Sequence, residues 1–244
     1  MIVLLTDFGL EGPYTGQVLA VLQQAAPGVA TIPLFADAPA GKPQPSAYLL
    51  AAYAAWFPEG TVFLCVVDPG VGGERRAVIA EASGKLFVGP DNGLFDIVLR
   101  RASDARLWEI TWRPPSLSAS FHGRDLFAPV AGRLARGEKL SSVARPTEDR
   151  SAVRGWPDDL AEIVYIDHYG NALTGVRGDR LATTSVLVAA SRHRLTHAET
   201  FKAVPAGQAF WYVNSNGLVE IAVNGGRADR VLGLAIGGAV AVVD

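Results

Sequence analysis

The chain has 244 residues, 49% of them hydrophobic, with a formal net charge of −2 and a single cysteine. That length can bury one large core or two modest ones, and the near-balanced charge offers no basic surface for nucleic acid or an anionic membrane. Cys65 has no partner for an internal disulfide and sits inside the apolar run TVFLCVV, where a thiol serves as a small core hydrophobe.

The opening MIVLLTDFG lacks a basic n-region and reads as a first strand rather than a signal peptide. No apolar run approaches the roughly 18 residues of a membrane helix, and a cytoplasmic protein is expected. Ile2–Leu5 predicts a strand, Tyr14–Ala26 a helix closed by Pro27-Gly28, and Val29–Phe35 a second strand. Pro45–Phe57 predicts a helix, and Thr61–Val67 a buried strand that ends at Asp68. Ala77–Glu81 and Lys85–Val88 are further strands, and Gly89-Pro90-Asp91-Asn92-Gly93 is a turn. Leu94–Arg101 and Phe127–Arg136 predict helices. Alternating strands and helices over residues 1–150 imply an α/β domain with a mostly parallel sheet covered on both faces. The polar stretch Arg145–Asp159 suits a linker. Short runs then follow at Glu162–Asp167, Ser185–Ala190, Ala209–Val213, Val219–Val223 and Ala239–Val243, punctuated by Gly, Asn and Asp. They predict a smaller all-β domain over residues 160–244 with no helix of convincing length.

Four segments set polar groups at strand or loop ends, where α/β sheets bind ligands. Asp7 follows the first strand; a carboxylate there can accept both hydroxyls of a ribose, or cap a turn. Asp68 and Arg75 flank the loop DPGVGGER, which either closes as a surface salt bridge or brings opposite charges over a small site. His122 lies in FHGRD ahead of a helix, with Asp125 placed as an N-cap. Asp167 ends a strand in IVYIDHYGNALT, where it suits a ligand ammonium, while the Asn171 amide suits a nucleobase edge; a hairpin turn is the plainer reading. There is no GxGxxG after the first strand, no GxxxxGK[ST] and no GxSxG. His168, His193 and His197 assemble no zinc set, and no metal is assigned.

In order along the chain, TDFGL, DPGVGGERR, GPDNGL, FHGRDLFAPVA, IDHYGNALT and NSNGLVEIAVN resemble the S-adenosyl-L-methionine hydroxide adenosyltransferases, relatives of the fluorinase and chlorinase. The resemblance spans Thr6 to Asn224. It implies attack of water on ribose C5′, releasing adenosine and L-methionine, with no cofactor beside the substrate. It also implies an α/β N-terminal domain, a smaller β C-terminal domain, and a homotrimer with sites between subunits. Asp68, Arg75 and His122 match the family's set around the attacking water, with either Asp68 or His122 as the base. Asp7 matches the ribose-binding acid, Asp167 and Ser215 the methionine end, Asn171 the adenine contact and Tyr169 its neighbouring aromatic. Tyr14, Asn216 and Gly225 complete the substrate-binding set. Here Gly12-Pro13-Tyr14 lacks the family's acid, Asp37-Ala38-Pro39-Ala40 lacks its histidine, and Ser215 precedes Asn216 rather than Ser or Arg.

Three other readings compete. A non-catalytic S-adenosyl-L-methionine or adenosine binder would share the ligand contacts but release no adenosine. A halogenase would replace the water-site acid, which this chain keeps as Asp68. A metal phosphoesterase built on Asp7, Asp68, Asp91 and His122 would bind a divalent ion.

Overall fold

The computed structural model describes residues 1–149, 155–190 and 192–243. The chain divides into two units, Met1–Leu50 with Ala54–Gly155 and Ala51–Tyr53 with Trp156–Asp244. From the N-terminus the elements are β1 (Ile2–Thr6), α1 (Tyr14–Ala25), β2 (Thr31–Phe35), α2 (Pro43–Tyr53), β3 (Val62–Val66), β4 (Ala77–Ala82) and β5 (Lys85–Pro90). They continue with α3 (Asp96–Arg101), β6 (Arg106–Ile110), a π-helical turn at Gly123–Phe127, α4 (Ala128–Ala135) and β7 (Ala144–Pro146).

In the first unit one seven-stranded sheet has the order β2-β1-β3-β5-β4-β6-β7. Strands β2, β1, β3 and β5 are parallel, which is the α/β pattern expected from the sequence. Alternation with period two fills both faces of β1 and β3. Ile2, Leu4, Val62, Leu64 and Val66 join Val18 and Leu22 of α1 and Phe127, Val130 and Leu134 of α4 in one core cluster. Val3, Leu5, Phe63 and Cys65, which alternate with them, are equally buried, and Phe63 stacks on Phe87 with centroids 4.9 Å apart. Strands β4, β6 and β7 extend the sheet with antiparallel pairings. The sequence reading had neither β6 nor β7. RLWEI is short with two of its five residues charged, and β7 overlaps the segment expected to be a linker, of which residues 150–154 lie outside the described residues. Both edge strands carry a proline, Pro33 in β2 and Pro146 in β7, a residue that sheets confine to edges because it lacks an N–H.

The second unit contains β8 (Leu160–Ile166), β9 (Ala172–Arg177), β10 (Val186–Ala189), β11 (His193–Leu195), β12 (Ala209–Val213), β13 (Leu218–Val223), α5 (Ala228–Leu232) and β14 (Val240–Val243). The strands form two antiparallel sheets, β12-β13-β9-β8 and β11-β10-β14. Their core gathers Ile163, Leu187, Trp211, Val219, Ile221, Leu232 and Val240. The Trp211 indole N–H donates to the Ser185 carbonyl over 3.2 Å, so the largest core side chain leaves no buried donor unmet. The two antiparallel sheets are the β architecture expected; the one addition is α5, which at five residues is too short to show a helical period.

Candidate active site

Parallel pairing puts the ends of β1 and β3 side by side, Thr6 opposite Val66. The chain therefore leaves both strands at one edge of the sheet, and Asp7 and Asp68 follow there as strand-end chemistry requires. They line a cavity of about 70 Å³ with Phe8, Val66, Val71, Ser120, Phe121, His122 and Gly123. The Asp68–Arg75 loop can fold this tightly because Gly72 takes φ +80°, and a Cβ there would lie 2.5 Å from the Ala119 carbonyl oxygen.

Arg75 returns along the loop to meet Asp68. Its Nε donates to both carboxylate oxygens, at 2.9 and 3.0 Å, and an Nη donates to Oδ2 as well. The same Nη lies 3.0 Å from Nδ1 of His122. A guanidinium can only donate, so Nδ1 is the acceptor and the ring proton resides on Nε2. Burial, and after it the Arg75 charge, hold the His122 imidazolium below its usual range, which favours the same neutral ring. Arg75 also lies over the Phe127 ring, 5.3 Å from its centroid. The pair is nearly enclosed, with side-chain exposures of 12% for Arg75 and 4% for Asp68, so it is no surface salt bridge.

Asp7 accepts the Gly41 N–H over 2.8 Å. Burial raises its carboxyl above the ordinary value; the backbone hydrogen bonds oppose this, and the Asp68 charge adds to it. Tyr14 is not part of the cavity wall. It opens α1, and its ring meets Phe121 edge-on, centroids 5.5 Å apart. Asp125 does not cap a helix as the sequence suggested: it accepts the Ser118 N–H at 2.9 Å and pairs with Arg124, which depresses its carboxyl. Asp91 is engaged with Arg76 and lies outside the cavity lining, so the four groups of the phosphoesterase reading do not converge. Among the described residues no three His, Cys, Asp or Glu form a metal-binding group.

The remaining candidates meet in the second unit. Asp167, Tyr169, Asn171, Ser215, Asn216 and Gly225 all line one cavity of about 860 Å³, within the ~300–1,000 Å³ of ligand sites. Asp167 closes the β8–β9 hairpin: its Oδ1 accepts the Asn171 N–H at 2.8 Å and its Oδ2 the Asn171 amide at 3.2 Å. The residue that closes the turn thus also lines the cavity. Tyr169, 73% exposed, offers an open ring face at the same cavity.

Sequence reasoning missed Glu220. It lies in β13, its carboxylate accepts the Tyr212 hydroxyl and, over 2.8 Å, the Asn214 amide, and it lines the cavity although only 4% exposed. Burial raises its carboxyl above the ordinary value, and the hydrogen bonds oppose this. The same burial pushes Tyr53, also on this cavity, up to about 12 and Tyr212 higher still, so both phenols stay protonated donors. The signal was present: LVEIAV places one charge inside an apolar strand, and buried charges rarely occur without a purpose.

A family model described as SAM hydroxide adenosyltransferase N-terminal domain matches residues 2–144, and that of the C-terminal domain matches residues 161–241. The chain is 36% identical to an (R)-S-adenosyl-L-methionine hydrolase of Salinispora arenicola, over 95% of this chain and 93% of that protein. It is 38% identical to one of Thermus thermophilus, over 94% of each. The crystal structure of an uncharacterized conserved protein from Thermotoga maritima superposes with a TM-score of 0.91 at 30% identity, covering 100% of both chains. The chain belongs to the SAM hydroxide adenosyltransferase family.

Proposed function

We propose that this protein is an S-adenosyl-L-methionine hydrolase that forms adenosine and L-methionine. The observation that carries the reading is the intact Asp68–Arg75–His122 set on a cavity that also holds Asp7, in a chain matched by both domain models of the family. The water oxygen bonds to C5′ as the C5′–S bond breaks. The bonding pair leaves on sulfur as methionine's neutral thioether, and the water gives up a proton. Neutral His122, with Nδ1 engaged by Arg75, has only its Nε2–H to offer and serves as a donor that orients the water. Asp68 is then the base, and Arg75 fixes both partners from behind. Holding water and C5′ in line contributes up to about 7–11 kcal/mol for a fully oriented pair. No metal or cofactor takes part.

Asp7 receives the ribose hydroxyls. Asn171 reads the adenine edge beside Tyr169, and Asp167 with Ser215, Asn216 and Gly225 of the same cavity wall holds the amino-acid end. A homotrimer with sites shared between subunits, working in the cytoplasm, belongs to the same proposal and rests on the family resemblance alone. Incubation with S-adenosyl-L-methionine in ¹⁸O-labelled water should yield adenosine and methionine in equal amounts, with the label on the 5′ carbon. Release of S-adenosylhomocysteine would mean methyl transfer and overturn the reading; tight binding with no product would leave a binding protein. For the shared site, mixing inactive Asp68→Ala and Asp167→Ala chains under subunit exchange should recover activity.

A further inference from the structure

The turn that follows β5 has no role in the chemistry above, yet its two polar residues grip the Asp68–Arg75 loop at both ends. The loop begins where β3 stops and ends where β4 starts, and it contains Gly70, Gly72 and Gly73. Its own backbone supplies only local turns, Val71 N–H to the Asp68 carbonyl at 3.2 Å and Gly73 N–H to the Gly70 carbonyl at 3.0 Å. A glycine-rich segment with so few internal bonds has much conformational freedom to lose. Something outside it must hold the contacts of Arg75 with Asp68 and His122.

Asn92 and Asp91 do this. The Asn92 amide donates to the Val67 carbonyl over 2.8 Å, the peptide that leads directly into Asp68. The Asn92 carbonyl oxygen accepts the Leu94 N–H at 3.3 Å, so the amide is locked by its own turn before it reaches Val67. At the other end, the Asp91 N–H donates to the Arg76 carbonyl at 3.0 Å, one step beyond the Ala77–Pro90 pair of the β4–β5 ladder. The Asp91 carboxylate accepts Arg76 Nε at 2.8 Å, and Arg76 reaches on to Asp149 at 2.8 Å. Successive side chains of an extended chain point opposite ways. Drawing Arg76 to Asp91 therefore directs Arg75 the other way, toward Asp68. The turn comes this close because residue 89 is glycine: a Cβ there would lie 2.1 Å from the Cys65 carbonyl oxygen.

We propose that Asp91 and Asn92 are positioning residues that staple the two ends of the Asp68–Arg75 loop, and so set the Asp68–Arg75–His122 geometry. Their effect on turnover rests on the hydrolase reading; their effect on geometry does not. The experiment follows the His122 ring by ¹⁵N NMR without substrate, together with steady-state kinetics on S-adenosyl-L-methionine. In the wild type, Nδ1 should give the signal of an unprotonated, hydrogen-bonded acceptor and Nε2 that of a protonated nitrogen. Asn92→Ala and Asp91→Asn should each shift the ring toward a tautomer mixture and lower kcat at least tenfold, with KM changed less than about threefold. Arg133→Ala breaks an ion pair with Glu138 elsewhere in the same unit; it should leave the tautomer and kcat alone and so report mere destabilisation. Should Asn92→Ala not fold, Asp91→Asn, which keeps shape and backbone, carries the test. A wild-type tautomer retained in the variants would overturn the proposal whatever turnover does. If the wild-type protein produces no adenosine, the hydrolase reading fails and the tautomer alone decides on the staple.

Discussion

The two units each present a buried carboxylate to a cavity, but they hold it in opposite ways. Asp68 is clasped by a guanidinium, a permanent charge, beside a space of about 70 Å³ that suits a few water molecules. Glu220 is held by a phenol and an amide, both neutral, beside about 860 Å³, and Asp167 lines the same wall. A carboxylate gripped by arginine through both oxygens is fixed in direction, as a group handling a water proton must be. A carboxylate held only by neutral donors has no countercharge beside it, and a cationic ligand would supply one. S-adenosyl-L-methionine carries both a sulfonium and an ammonium. The first unit's cavity thus holds a carboxylate paired with a cation, and the second's a carboxylate paired only with neutral donors.

The sharpest way to break this contrast is Asp68→Asn. The amide keeps the shape but cannot take a proton, and its NH₂ opposes the Arg75 donors. Turnover should fall by about 10²–10⁴-fold, with substrate affinity within a few-fold of the wild type, measured by single-turnover adenosine formation and by calorimetry on the inactive protein. Equal loss of rate and affinity would place Asp68 among the recognition residues instead.

Smaller effects separate the recognition acids from each other. Glu220→Gln should weaken S-adenosyl-L-methionine by roughly ten- to a hundredfold, the ~1.5–3 kcal/mol of one charge-assisted contact, yet leave the neutral product adenosine almost unaffected. Asp7→Ala should weaken substrate and adenosine alike by a similar factor, because ribose hydroxyls are common to both. Competition binding with the two ligands reads this directly. If Glu220→Gln impaired adenosine as much as substrate, the charge argument would be wrong and Glu220 would be a shape or packing residue.

The parallel half of the sheet and the strand-end acids were legible because they follow from periodicity and topology: an apolar run stops and a carboxylate stands at its end, as at Thr6-Asp7 and Val67-Asp68. The roles of Asp91 and Asn92 were not legible. Their turn reads the same whether it faces solvent or grips Val67 and Arg76, and only the β4–β5 ladder decides that. Glu220 escaped because pattern reading assigns LVEIAV to a strand and stops there, although the lone charge was visible. His122 was singled out from its neighbours, but its tautomer needed Arg75 brought from 47 positions away.

The smallest expected effect is a pair of opposite pH slopes in stability, a rising one from His122 and a falling one shared by Glu220 and Asp7. His122 has a folded pKa below its ordinary 6.5. As pH falls below 6.5 the unfolded chain takes up the proton first, so this contribution is complete above 6.5 and is lost as pH drops toward the lower folded value. Glu220 has a folded pKa above its ordinary 4.5. Between 4.5 and that raised value the folded chain binds more protons, so this contribution declines as pH rises through the window. Urea unfolding between pH 4 and 8 should accordingly show a rising component that disappears in His122→Gln and a falling one that shrinks in Glu220→Gln, the remainder belonging to Asp7, whose carboxyl is raised too. The same low His122 pKa should keep kcat/KM level below pH 6.5 before it drops, since protonation removes the acceptor that Arg75 uses. A decline already centred at 6.5 or above would mean that the ring is not held neutral by Arg75. A falling stability component untouched by Glu220→Gln would mean that the neutral donors compensate the buried charge, and the contrast between the two carboxylates would no longer stand.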